Sequence, residues 1–275
     1  MLSQPTLAET FAANRASGRV ALEMTASGGV TRRRRVAEEG SLRVRFPNAE
    51  RGDREAVIVN TAGGMAGGDR FALDIACRDG ADFTITTAAA EKVYRAIDAP
   101  SRVCIRLRVD AGSRLAWVPQ ETILFDRTAL ERTIDVELTG DAEVAMVEAV
   151  VFGRALMGEV VASGAFADRW RVRRDGRLVF AETVRLEGGV AEKLARAAIG
   201  NGAIAFATLY IGPGSDRHVE AFRAASGNFS GEAGISCWKG HCVARFCAQN
   251  SAALRADMAA ALAAMGMRLP RIWTN

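Results

Sequence analysis

The side chains best suited to chemistry in this sequence are carboxylates set among apolar or strand-edge neighbours, Glu91, Glu121, Asp126, Glu148 and Glu159, and one short cluster, Cys237-Trp-Lys-Gly-His-Cys242. A carboxylate in apolar surroundings is costly unless it is paired. Glu148, with Met146-Val147 before it and Ala-Val-Val-Phe152 after it, therefore needs a cation, and Arg154 is the nearest in sequence. The cluster offers two thiolates and an imidazole within six residues, with Cys247 close by, so Cys237, His241 and Cys242 are candidate ligands for a soft ion. A strand over 241–248 would set Cys242 and Cys247 on opposite sides and His241 on the side of Cys247. That spacing argues against a closed site and leaves buried strand cysteines as the alternative.

Other motifs narrow the field. Asn60-Thr-Ala-Gly-Gly-Met-Ala-Gly-Gly-Asp69 is dense enough in glycine to raise the question of a phosphate loop. It has no Gly-Lys-Ser/Thr, does not match G-x-G-x-x-G, and runs into an alternating segment rather than a helix, so it reads as a strand-connecting loop that ends on Asp69. The run Thr31-Arg-Arg-Arg-Arg-Val36 has no interleaved aromatics, which points to a solvated face and away from nucleic acid. Two histidines, His218 and His241, leave almost nothing for a histidine relay or a three-histidine metal site. The five scattered cysteines do not resemble a secreted disulfide framework and are expected to be reduced.

These residues need a scaffold, and the periodicity describes one. The chain has 275 residues, 49% hydrophobic and 25% charged, with a formal charge of +4, the make-up of a folded protein with a substantial core. No apolar run is long enough to span a membrane, and the first twenty residues, with Glu9, Asn14, Arg15 and Arg19, contain no leader-like apolar block, so a soluble cytoplasmic protein is expected. As far as about residue 187 the pattern has period two, clearest in Arg102–Val109 and repeated in Phe71–Ile75, Phe83–Ile85, Thr133–Leu138 and Glu143–Glu148. Turn glycines 80, 112, 140 and 176 precede alternating runs at spacings of 32, 28 and 36 residues. Stacked β-coils and an ordinary β-sandwich both produce that rhythm.

Beyond residue 187 the pattern is mixed. Helices are expected over Gly189–Ile199, from Asp216 to Ala225 and from Ser251 to a stop at Gly266, with strands over Ala203–Ile211 and Cys242–Ala248. No Pro- or Ser-rich linker divides the chain, so a single domain over 1–275 is expected.

Five segments in order, Asn60–Asp69, Thr87-Ala-Ala-Ala-Glu-Lys-Val-Tyr94, Pro119-Gln-Glu-Thr-Ile-Leu-Phe-Asp126, Val150-Val-Phe-Gly-Arg-Ala-Leu-Met-Gly-Glu159 and Leu269-Pro-Arg-Ile-Trp273, resemble the urease accessory protein UreD family, also called UreH. The resemblance covers nearly the whole chain after the first strands, but the Cys237–Cys242 segment has no counterpart in the family pattern. It implies a mainly β fold of stacked, β-helix-like sheets with two or three helices in the C-terminal third, which selects stacked coils over a sandwich. It implies a non-enzymatic scaffold that joins UreF and the GTPase UreG, docks on apo-urease and helps deliver Ni²⁺, with a homodimer formed through that complex. No tightly bound cofactor, nucleic acid or membrane is implied.

A passage for a metal in transit needs exchangeable oxygen ligands, because thiolate and imidazole cages hold Ni²⁺ too tightly to release it. The carboxylates on the matching segments, Asp69, Glu91, Glu121, Asp126, Glu148 and Glu159, with Glu182 on an expected strand, are then the transit or partner candidates, and Asp69, Glu148 and Glu159 are expected to face an interior. The competing reading is a carboxylate-dependent enzyme on a β-helix-like scaffold.

Overall fold

The computed structural model describes residues 15–47, 54–154 and 157–273. Glu9 and Asn14, and Ala155-Leu156 of the fourth matching segment, lie outside these residues.

The alternating runs become strands stacked in coils. β1 (Ser17–Ser27) and β2 (Val30–Gly40) form one antiparallel pair, and β3 (Leu42–Arg45) and β4 (Glu55–Asn60) form another. Three coils follow. The first is β5 (Arg70–Arg78), β6 (Asp82–Thr87) and β7 (Glu91–Val93), and the second is β8 (Ser101–Val109), β9 (Arg114–Trp117) and β10 (Thr122–Leu124). The third is β11 (Ala129–Leu138) and the long β12 (Glu143–Phe152), whose last residues take the place of a third strand. Equivalent strands lie parallel on one another: β5 on β8 on β11, β6 on β9 on β12, and β7 on β10 on the end of β12.

The corner glycines explain the rhythm. Gly80, Gly112 and Gly140 have φ of 77°, 72° and 55°, which glycine adopts without a Cβ penalty. Each corner is tied to the next through its glycine N–H, donated by Gly80 to Ser113 Oγ (3.1 Å), by Gly112 to Asp141 Oδ1 (2.7 Å) and by Gly140 to Asp175 Oδ1 (2.9 Å). The fourth turn differs. Asp175 and Gly176 both have positive φ, the geometry of a two-residue hairpin, and they join β13 (Ser163–Arg174) to β14 (Arg177–Gly189) as an antiparallel pair. The coil rhythm ends there.

Two sheets result: a seven-stranded one in the order β14-β13-β11-β8-β5-β1-β2, and a ten-stranded one that continues past β12 to β15 (Ala205–Gly212), β17 (His241–Ala248) and β16 (Glu232–Trp238). A core containing Leu22, Ile75, Leu107, Ile134, Met146 and Val172 fills the space between them. On the back of the ten-stranded sheet, α2 (Asp216–Ser226) and α3 (Ser251–Ala264) bury Phe222, Leu254, Met258 and Leu262 against Val147, Val151 and Leu209. β12 is therefore buried on both faces and reads as a continuous apolar run. The chain is mainly β, with stacked sheets and its helices in the C-terminal part, as expected.

Boundaries shift for local reasons. α1 (Val190–Ala195) stops at Arg196, short of Ile199, because only Val190 and Leu194 have a buried face to occupy. Ser215, not Asp216, is the N-cap of α2, and the Ser215 N–H donates to His218 Nδ1 (3.1 Å). β16 was not expected from the sequence; as an edge strand with half-buried Ala233, Ile235 and Cys237 it has a weak apolar signature.

Candidate functional site

Strand register brings an inward-facing arginine between two inward-facing carboxylates. On β11 the buried residues Leu130, Arg132, Ile134 and Val136 share a face, and on β13 so do Phe166, Asp168, Trp170 and Val172. Arg132 and Asp168 are direct neighbours across that parallel pair. On the opposing sheet, β12 points Met146, Glu148 and Val150 at them, and β9 supplies Trp117 beside Met146.

The cluster spans the two sheets. Arg132 donates through Nη2 to Asp168 Oδ2 (2.6 Å), and through Nη1 to Glu148 Oε2 and to Thr122 Oγ1 (3.3 Å). Trp117 Nε1 donates to Glu148 Oε1 (2.7 Å). The three ionisable residues are 4–5% exposed, and among the described residues Asp168 Oδ1 and Arg132 Nε are buried with no hydrogen-bond partner. Burial pushes the Glu148 carboxyl up to about 7; Arg132 opposes the shift and the Asp168 charge reinforces it. Burial also works against the guanidinium charge of Arg132, but Asp168 and Glu148 outweigh it and its pKa is raised. Two buried carboxylates sharing one arginine thus favour keeping one proton near neutrality.

Arg132, Glu148 and Asp168 line a cavity of about 530 Å³ bounded by strands of both sheets. Phe152, Phe166, Leu186, Leu194 and Phe206 form its walls, and Glu232 and Cys247 line it too. Glu182 of edge strand β14 also lines it, and its carboxylate receives both terminal nitrogens of Arg245 on β17 (2.6 and 2.8 Å). This ion pair links edge strand β14 of one sheet to β17, one strand in from the edge of the other.

The candidate carboxylates therefore divide. Glu148 and Glu182 line the cavity; the others do not. Asp69 is buried but accepts from the Ala66 and Ala16 amides (2.7 and 2.8 Å), closing the glycine loop. Glu91 accepts from Asn60 Nδ2 (3.1 Å) beside that loop, and burial, partly offset by this bond, lifts its pKa to about 7. Glu121 is held by Arg255 of α3 (2.9 and 2.5 Å). Asp126 accepts from the Ser163 amide (3.1 Å), and Glu159 pairs with Arg154 (2.6 Å). The partner of Glu148 is thus Arg132, not Arg154, because Arg154 sits on the exposed turn after β12 while Glu148 faces the opposite sheet. Arg132 and Asp168 were missed from sequence, although each is a charged residue in the inward register of an apolar strand.

The cysteine and histidine cluster is not a joint ligand set. Cys237 and Cys242 are cross-strand neighbours joined by a disulfide, which corrects the expectation of reduced thiols; Cys77, Cys104 and Cys247 are free. Both sulfurs lie toward the Ser215 carbonyl (3.7 and 3.6 Å), whereas strand alternation turns His241 to the other face, among Phe180, Tyr210 and Trp238. Among the described residues no group of three or more His, Cys, Asp or Glu is arranged to hold a metal ion, and no helix is long and apolar enough to cross a membrane.

The sequence model of the UreD urease accessory protein family matches residues 16–274. The chain belongs to the UreD family. It is 55% identical over 272 residues to the urease accessory protein UreD of Rhodopseudomonas palustris strain BisA53, covering 98% of this chain and 95% of that protein. With the UreD of Bradyrhizobium diazoefficiens it shares 54% identity over 265 residues, 96% of each chain. With UreD 3 of Bradyrhizobium sp. strain BTAi1 the identity is 53% over 269 residues, 98% of this chain and 97% of the other. The family resemblance read from the five segments is thereby established for nearly the full length.

Proposed function

We propose that this UreD-family chain acts in urease maturation as a non-enzymatic cytoplasmic scaffold, assembled with UreF and the GTPase UreG, that docks on apo-urease and helps deliver Ni²⁺. The observation that carries the delivery step is the pair of cavity-lining carboxylates, Glu148 and Asp168, held by one shared arginine. Oxygen ligands suit a cargo ion that must leave again, and Asp168 Oδ1 has no partner of its own. Arg132 competes with any cation for the same oxygens, so the cluster can meet Ni²⁺ without retaining it. The Cys237–Cys242 pair is tied up as a disulfide and plays no part in this path. In this reading a homodimer forms through the accessory complex.

The reading of a carboxylate-dependent enzyme receives less support, because Arg132 engages one oxygen of each buried carboxylate and the family that the chain belongs to is one of urease accessory proteins. The test is to co-express urease and its accessory proteins with the parent chain or with Glu148→Gln/Asp168→Asn, and to measure nickel per purified urease. We expect the variant to be captured on apo-urease as the parent is and the metal content to fall several-fold. Full nickel loading by a folded variant would overturn the delivery step.

A further inference from the structure

The two sheets differ in what covers their outer faces. Helices α2 and α3 cover the back of the ten-stranded sheet, whereas among the described residues no helix lies on the outer face of the seven-stranded one. That face is a lattice of charges in register. One row runs Arg35–Glu23–Ala76–Arg108–Glu137–Arg173 across β2, β1, β5, β8, β11 and β13, and the next runs Asp74–Arg106–Asp135–Arg171. Arginines outnumber carboxylates on it, and no lysine is present. Some are neutralised internally, as Arg19 and Arg106 are by Asp74 (2.7 and 3.4 Å) and Arg102 is by Glu131 (2.9 Å). Arg35, Arg108 and Arg169 form no ion pair among the described residues, and all three are exposed.

A trough of about 380 Å³ runs between these rows; Ala21, Ala37 and Ala76 line it, the pairs Arg19–Asp74 and Arg78–Glu23 are neutralised within it, Glu39 lines it too, and Arg35 and Arg108 flank it. Small residues between long arginines leave an approaching surface room to reach the guanidinium groups. Three strand spacings put Arg35 and Arg108 about 14 Å apart, and the whole row extends about 24 Å. That is the width of a protein interface rather than of a small ligand. Carboxylates alternate with the arginines, so a uniform polyanion meets repulsion at every other strand, and a folded protein with acidic groups at matching positions does not. Arginine also suits the task, being weakly hydrated and able to grip a carboxylate with two N–H groups.

We infer that the outer face of the seven-stranded sheet docks an acidic face of a folded protein, whose acidic side chains pair with Arg35 and Arg108 on the two sides of the trough. The inference rests on the proposed function, in which that protein is the urease being matured.

The test captures apo-urease on the complete accessory complex carrying the parent chain, Arg35→Glu/Arg108→Glu, Arg35→Lys/Arg108→Lys or Glu148→Gln. Both arginines are exposed and unpaired, so unchanged thermal unfolding of the Glu variant serves as the folding control. Charge reversal should weaken capture about tenfold and flatten its salt dependence. The Lys variant should retain most binding, and Glu148→Gln should bind as the parent does. Equal capture of the parent and the charge-reversed chain would overturn the inference while leaving the proposed function intact. A parent complex that fails to capture apo-urease would overturn both. A 20-base-pair DNA duplex that competes with urease for the parent would refute the choice of a protein partner.

Discussion

The buried cluster makes a prediction about pH that needs no partner protein. Glu148 has its carboxyl raised to about 7 in the folded chain by burial, against 4.5 when exposed. A carboxyl with a raised folded-state pKa binds its proton more tightly when folded, so its contribution to stability is largest below the unfolded value and is lost as the pH rises through the folded one. At about 1.4 kcal/mol per pKa unit the loss between about pH 4 and about pH 8 is about 3 kcal/mol. Glu148→Gln removes the titration but keeps an oxygen able to accept from Trp117 or Arg132. Urea unfolding of parent and variant across this range should therefore show the variant gaining about 3 kcal/mol relative to the parent as the pH is raised. A stability gap that stays constant with pH would refute the assignment of the buried proton to Glu148.

Two further outcomes follow from the same geometry. Arg132→Met leaves Glu148 and Asp168 buried without their cation and should destabilise the fold by about 3–5 kcal/mol in chemical denaturation, with much of the loss recovered by adding Glu148→Gln and Asp168→Asn. Cys237→Ser/Cys242→Ser removes a cross-link that closes a very short loop and should lower stability by about 2 kcal/mol; alkylation of both thiols in the native, unreduced parent would show that the bond is not there.

Much of the fold was legible because sheet strands repeat at period two and coil corners need glycine. Val103, Ile105, Leu107 and Val109 lie on one face of β8, and glycines 80, 112 and 140 sit at equivalent corners. The fourth glycine carried the same local signal, yet Gly176 turns a hairpin, because a corner and a hairpin both require positive φ and differ only in where the next strand pairs. The site was half legible. Glu148 announced itself through its apolar neighbours, but its partner lies in another sheet, and nearness in sequence selected Arg154 instead. Arg132 and Asp168 follow from parity once strand boundaries are known; they do not follow from motif spacing. Asp69 and Glu159 looked interior for a different reason: each satisfies backbone amides in a loop, a task that also places a carboxylate among apolar residues.

The double burial of β12 has a consequence for synthesis. As the chain leaves the ribosome, β5 to β12 can stack coil on coil in the order they emerge, but the back of β12 waits for α2 and α3, which come about seventy to one hundred and twenty residues later. Through that interval Val147, Ala149 and Val151 face water beside an unfinished sheet, so the nascent protein carries its stickiest surface until its final helix arrives. A truncation that removes the last twenty-five residues takes away the share of that cover that α3 provides and leaves the three coils in place, and the product should be held by chaperones rather than released.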